Sequence, residues 1–190
     1  APAPPRRSRR NAAPGGRALP PSEGRAGGFH WTLEHPEGML ALARARAALG
    51  VLFPYFQADV YTLQPVFCVG FGTVGVTPRR VLVIDPDVVS KWEREAFAFA
   101  LAHELGHCFQ DHAGRFADAP MEDRDLVNLS GDCEINDGLC EDPRAKWPWP
   151  PVTPQSFKFP PHLLAEDYYA RLKTLSNAAQ KAAKAALICP

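Results

Sequence analysis

His103-Glu104-Leu105-Gly106-His107 sets two imidazoles four residues apart, with a carboxylate directly after the first. On an α-helix, residues i and i+4 project from the same side, one turn above the other. Both rings can then reach one ion, and zinc takes imidazole nitrogen at about 2.0–2.1 Å. Glu104 is turned about 100° from His103 around the helix axis. It can therefore approach a water on the ion without ligating the ion. This is the HExxH pattern, in which zinc lowers the pKa of water towards roughly 7 and the glutamate takes its proton during attack on a carbonyl. The chemistry that follows is peptide-bond hydrolysis on a protein or peptide substrate, with zinc as cofactor and Glu104 as general base.

A catalytic zinc takes a third protein ligand and leaves one position open for water. The third histidine of metzincins would fall at Ala113, and the glycine that precedes it there is absent. His112 lies five residues beyond His107, about 140° around a continuous helix, and reads as a surface or supporting residue. The downstream acids are Glu122, Asp123, Asp125, Asp132, Glu134, Asp137 and Glu141. Asp132 and Asn136 are four apart and share a face of a helix, while Glu134 points elsewhere. Gly131 beside Asp132 permits a close helix approach. Asp132 as third ligand with Asn136 holding it is the economical arrangement, and Glu134 is the alternative. Tyr168, Tyr169 and His162 are candidates to hydrogen-bond a developing oxyanion, although tyrosines so spaced also pack helices against a core. Trp147 and Trp149 could line a groove or pin a connector. Cys108 and Cys133 neighbour proposed ligands but face away from them, as core residues.

These residues need helices to present them. His35 to Gly50 reads as a helix with Met39, Leu40, Leu42 and Ala43 on its apolar face and Gly50 as its stop. Val66–Val69 and Thr73–Val76 read as short strands or a hairpin around Gly70 and Gly72, and residues 81–84 as the clearest strand. Ser90 and Glu93 form a capping-box pattern for a helix running to about His112, with Phe97, Leu101, Leu105 and Cys108 on its core face. A further helix covers Asp125 to Leu139. Residues 142–161 hold seven prolines and form an extended connector, followed by a helix over 162–188. Strands first and helices after favour an α+β domain with a small mixed or antiparallel sheet packed on helices.

Residues 1–28 differ from the rest: six arginines stand against the single acid Glu23, among mostly Pro, Gly, Ala and Ser. Such a stretch has too little apolar surface to offset the entropy of ordering it, so a disordered basic arm is expected there. Residues 29–190 would form the folded domain. Without the arm, 15 basic residues face 20 acidic ones, so the chain's net charge of zero conceals a body near −5. The arm could contact nucleic acid or an acidic partner through salt-sensitive attraction, or serve only as a solubilising tail. Arg9-Arg10 is not followed by an apolar run of signal-peptide length, and no stretch of about 18 apolar residues marks a membrane span. Five cysteines without a CxxC pair favour free thiols and a cytoplasmic setting.

From roughly Gly38 to Lys173 the chain resembles the metallopeptidase domain found ahead of von Willebrand factor A-like domains in bacteria. The residues that carry the likeness are Asp85-Pro86 with Val88-Val89, AFALAHELGHCFQDH, NLSGDCEIND and AEDYYARL at 165–172. The resemblance implies an Asp and an Asn four apart after HExxH, matched by Asp132 and Asn136, which favours Asp132 over Glu134. It also implies a zincin-like fold in which an edge strand beside the active-site helix holds an extended peptide by strand addition. The second domain of that family is not expected, since the sequence ends at Pro190. A rival reading is a non-catalytic zinc-binding scaffold or assembly protein that uses the basic arm for its partners; such a scaffold would need the histidines but not Glu104.

Overall fold

The computed structural model describes residues 23–26, 29–175 and 179–181. The first helix, α1 (Pro36–Leu52), begins where Pro36 presets the backbone and the His35 ring accepts a hydrogen bond from Gly38 N at 3.2 Å. Leu42, Ala45 and Leu49 form its buried face. Met39, Leu40 and Ala43, expected on that face, are exposed, and the helix runs through Gly50 for two more residues. Leu42 holds its expected place on the buried stripe of 42, 45 and 49, whose centre lies roughly a third of a turn from Met39, Leu40 and Ala43.

Five strands form one mixed sheet in the order β1-β2-β3-β5-β4: β1 (Glu23–Ala26), β2 (Phe29–Thr32), β3 (Gln64–Val69), β4 (Val74–Val76) and β5 (Val81–Ile84). Of the two expected arrangements, short strands or a hairpin around Gly70 and Gly72, the short strands form, and they do not pair with each other. β3 runs parallel to β5, with Val66 opposite Val83, and β4 pairs antiparallel with the other side of β5. The intervening turn is instead held by Asp85, whose carboxylate accepts hydrogen bonds from Gly70 N at 3.0 Å and Gly72 N at 2.8 Å. Both glycines have positive φ, 85° and 90°, which side-chain-bearing residues rarely adopt. Residues 23–26, expected within the basic arm, pair with β2 as an edge strand; residues 1–22, 27 and 28 lie outside the described residues.

Asp85 also caps the short helix α2 (Pro86–Val89), accepting from Asp87 N at 3.1 Å. Ser90 therefore closes α2 rather than opening the next helix. The central helix α3 (Arg94–Phe109) starts after Glu93 without a side-chain cap, so the Ser90–Glu93 capping box is absent. Every residue from Ala96 to Leu105 is buried: α1 and the sheet cover one side, and α5 (Arg124–Leu139) covers another. Fully burying a Leu or Phe stabilises a fold by roughly 1.5–3 kcal/mol, so Phe97, Phe99, Leu101 and Leu105 firmly anchor the helix that carries the motif.

α3 stops at Phe109, short of His112. Asp111 takes a left-handed conformation, φ 49°, and a one-turn helix α4 (His112–Arg115) follows. A second core joins α5 to α6 (Ala165–Thr174) through Leu126, Leu129, Cys133, Val152, Tyr168 and Leu172. Residues 142–161 hold no α-helix or strand: a turn closed by Ala145 N on Asp142 O opens the segment, bends interrupt it, and a 3-10 turn spans Pro154–Phe157. His162 itself has φ 60° and precedes α6, which spans ten residues instead of starting at 162. The single helix expected to 188 is broken at Leu175, whose backbone is extended; residues 179–181 are again helical, and 176–178 and 182–188 lie outside the described residues. Cys68, Cys108, Cys133 and Cys140 are free thiols, and Cys189 lies outside the described residues. No helix among the described residues is long and apolar enough to cross a membrane.

Candidate metal centre

His103 and His107 sit one turn apart on α3, and Asp132 reaches them from α5. His103 Nε2 lies 3.1 Å from His107 Nε2 and 3.4 Å from Asp132 Oδ1, and His107 Nε2 lies 3.2 Å from the same oxygen. In a tetrahedron with bonds of about 2.0–2.1 Å, ligand atoms stand about 3.3–3.4 Å apart. The three donor atoms thus already form a triangle close to one face of such a tetrahedron. Asp132 is 4% exposed, and its Oδ1 is buried without a hydrogen-bond donor. A buried carboxylate oxygen left in that condition is costly; the two imidazole nitrogens stand beside it at 3.4 and 3.2 Å. These residues fit a small divalent cation.

The electrostatics agree with the geometry. Burial alone would lower the His103 pKa, but the Asp132 carboxylate, with help from Glu104 and Asn136, outweighs it and raises the ring to about 9. Burial alone would raise Asp132, yet the two imidazoles hold its carboxyl well below the usual carboxylate range. The cluster therefore behaves as a carboxylate holding positive charge, as a cation site should.

Asn136, expected to hold Asp132, instead meets His103. His103 Nδ1 is 2.8 Å from Asn136 Oδ1, and Asn136 Nδ2 donates to the Val152 carbonyl at 2.7 Å. That second bond fixes the amide so that its oxygen faces the ring. The ring of Trp147 stands edge-on to His103 with centroids 6.2 Å apart, which places the first tryptophan of the proline-rich connector against the site; Trp149 packs on Trp92 and Trp147.

Glu104 is fully buried, and its Oε2 accepts a hydrogen bond from Val76 N at 2.8 Å. Val76 ends β4, the outermost strand on this side of the sheet. Asp85 N bonds to Thr73 O and Thr77 N to Val81 O, so the intervening alternation turns the polar groups of Val74 and Val76 away from β5. A cavity of about 280 Å³ opens here, lined by Glu104, His107, Val76, Thr77, Arg80 and Asn128 among others.

The remaining expected residues lie elsewhere. Glu134 accepts from Arg115 Nη1 at 3.0 Å and Ala165 N at 3.1 Å and faces His112, so it is not in the metal triangle. The Tyr168 hydroxyl is buried in the second core, against Asp137, Pro160 O and Leu163 N. Tyr169 donates to Asp123 at 2.6 Å, and His162 is exposed beside Asp137 and Glu141. Both tyrosine hydroxyls are thus engaged in joining α6 to its neighbours. Sequence reasoning missed Val76, and of the two readings of His112, surface or supporting, the structure favours the second: the ring is 5% exposed and meets His107. Only Gly131 hinted at this, as a mark of close approach near the ligands.

No curated protein and no solved structure matches the chain. A family model described as "Putative metallopeptidase domain" matches residues 39–186, a span that contains both helices of the candidate metal centre. The chain belongs to that metallopeptidase-domain family.

Proposed function

We propose that the protein is a zinc-dependent peptidase of the HExxH type, with His103, His107 and Asp132 as ligands and Glu104 as general base. The observation that carries the reading is the triangle of three donor atoms, 3.1–3.4 Å apart, with the Glu104 carboxylate one residue from the first ligand. Two imidazoles and one carboxylate are a donor set typical of catalytic zinc sites with an open fourth position. Zinc, when bound, would supply Lewis acidity that polarises a scissile carbonyl and acidifies water.

The chain's own groups supply the rest. Glu104 takes a proton from the attacking water and returns it to the leaving amine. Val76 N–H holds Oε2 of that carboxylate, so the general base is fixed relative to β4. A peptide laid along the outer side of β4 would bring its carbonyl to the cavity mouth, consistent with strand addition in a zincin-like architecture. Buried Asn136 keeps the His103 proton on Nδ1, leaving Nε2 as the ligating nitrogen.

The test is hydrolysis of an unfolded protein substrate by metal-loaded wild type, by the same protein after chelation, and by Glu104→Gln. Cleavage by the loaded wild type alone supports the reading. Equal rates in all three preparations contradict it.

A further inference from the structure

The polar chain behind the metal triangle continues beyond its ligands. His107 Nδ1 lies 3.0 Å from His112 Nδ1, and His112 Nε2 lies 2.8 Å from Glu134 Oε2. Glu134 is in turn held by Arg115, which forks onto Glu166 of α6. The left-handed Asp111 turns the backbone so that His112 folds back over its own helix end. Gly131 makes room for the pair: a Cβ there would lie 2.7 Å from His112 Nδ1 and 3.3 Å from His107 Cε1.

Proton counting makes this contact informative. Two Nδ1 atoms in hydrogen-bond contact share one proton, so one ring donates and the other accepts. A neutral imidazole that ligates through Nε2 carries its proton on Nδ1. His107 must then be the donor and His112 the acceptor. The proton of His112 is left on Nε2, where the Glu134 carboxylate accepts it. Every atom in the chain has a compatible role only in this arrangement.

We infer that His112 is a positioning residue: by accepting from His107 Nδ1 and donating to Glu134, it locks His107 in the tautomer and orientation that ligate zinc. The inference rests on the zinc reading above. It gives the site a second brace, built from α4, α5 and α6, opposite the Asn136 brace on His103.

Two measurements test it on the full chain with zinc alone as probe. In the zinc-loaded wild type, nitrogen-15 NMR of the histidine rings should show His112 protonated at Nε2 and bare at Nδ1; a proton on its Nδ1 overturns the assignment. Zinc affinity by chelator competition should fall about 10–100-fold in His112→Leu, the range for losing such a partner, and stay within about threefold of wild type in His112→Asn, whose amide oxygen replaces Nδ1. Both variants lose the bond to Glu134, so a purely structural role would weaken them alike. Equal loss in both, or no loss in His112→Leu, overturns the proposal. If folded wild type binds no zinc, the metal reading itself fails, a distinct result. Should His112→Leu not fold, the NMR measurement decides alone.

Discussion

Ile135 of α5 rests on the bare backbone of Gly106 of α3: a Cβ at residue 106 would lie 2.9 Å from Ile135 Cγ2 and 3.0 Å from Cγ1. Gly106 directly precedes His107, a proposed ligand, and Ile135 lies three residues after Asp132. This contact sets the helix separation at which one carboxylate oxygen reaches both imidazoles. Gly106→Ala would gain about 1 kcal/mol of helix propensity, but overpacking costs typically about 1–3 kcal/mol. The variant is expected to lose stability and bind zinc more weakly. Adding Ile135→Ala should recover part of both losses, a coupling measurable in a double-mutant cycle by denaturant unfolding. A Gly106→Ala protein more stable than wild type would show the contact to be slack.

Gly131 makes the same kind of approach towards the two rings that brace the site. Gly131→Ala should disrupt the His107–His112 contact, since the methyl would meet His112 Nδ1 at 2.7 Å. An overpacking cost of about 1–3 kcal/mol is expected, together with weaker zinc binding. Thermal unfolding with and without zinc checks it. The zinc-dependent rise in melting temperature should shrink more than the metal-free value falls.

Glu104 lies outside the ligand triangle, so metal binding and turnover should separate there. Glu104→Gln is expected to keep its zinc while hydrolysis falls by about 10²–10⁴, the usual share of a general base. Metal content and rate, measured on one preparation, test this. A Gln variant as active as wild type would remove the base from the mechanism.

Acidity should govern the metal-free fold and the metal in opposite senses. The folded-state pKa of His103, about 9, exceeds its ordinary 6.5. Protonated His103 therefore stabilises the metal-free fold fully below about pH 6.5, and that contribution is lost as pH rises through about 9. The matching contribution from Asp132, whose pKa is depressed, is present above its unfolded value and disappears only in acid. Zinc competes with the His103 proton, so its apparent affinity should climb by up to about tenfold per pH unit and level off above about pH 9. Titrations at several pH values would show it, and a flat profile across this range would contradict the assignment.

The candidate site was largely legible because its residues come in two pairs that are local in sequence. His103 with His107, and Asp132 with Asn136, are four apart on helices that hydrophobic periodicity marks, and helical geometry alone brings each pair to one face. What escaped depended on distant partners or on single backbone angles. Ser90 looked like a helix start, but Asp85 had already opened the short helix that Ser90 closes. Val66–Val69 and Thr73–Val76 were legible as short strands but not in their pairing: β5 inserts between them, a long-range choice with no local mark. His112 was assigned to a continuous helix, and one left-handed residue at Asp111 put it against the site instead. Tyr168 and Tyr169 have the right chemistry for an oxyanion, yet Asp137 and Asp123 engage their hydroxyls.

The central claim is that one oxygen of Asp132 completes a zinc site begun by two helical imidazoles. Zinc content of purified wild type and of folded Asp132→Ala, measured by elemental analysis after dialysis, tests it most directly. The account predicts about one equivalent per wild-type chain, as a single tetrahedral site would hold, and little in the variant. Full zinc retention in Asp132→Ala, or none in wild type, would contradict it.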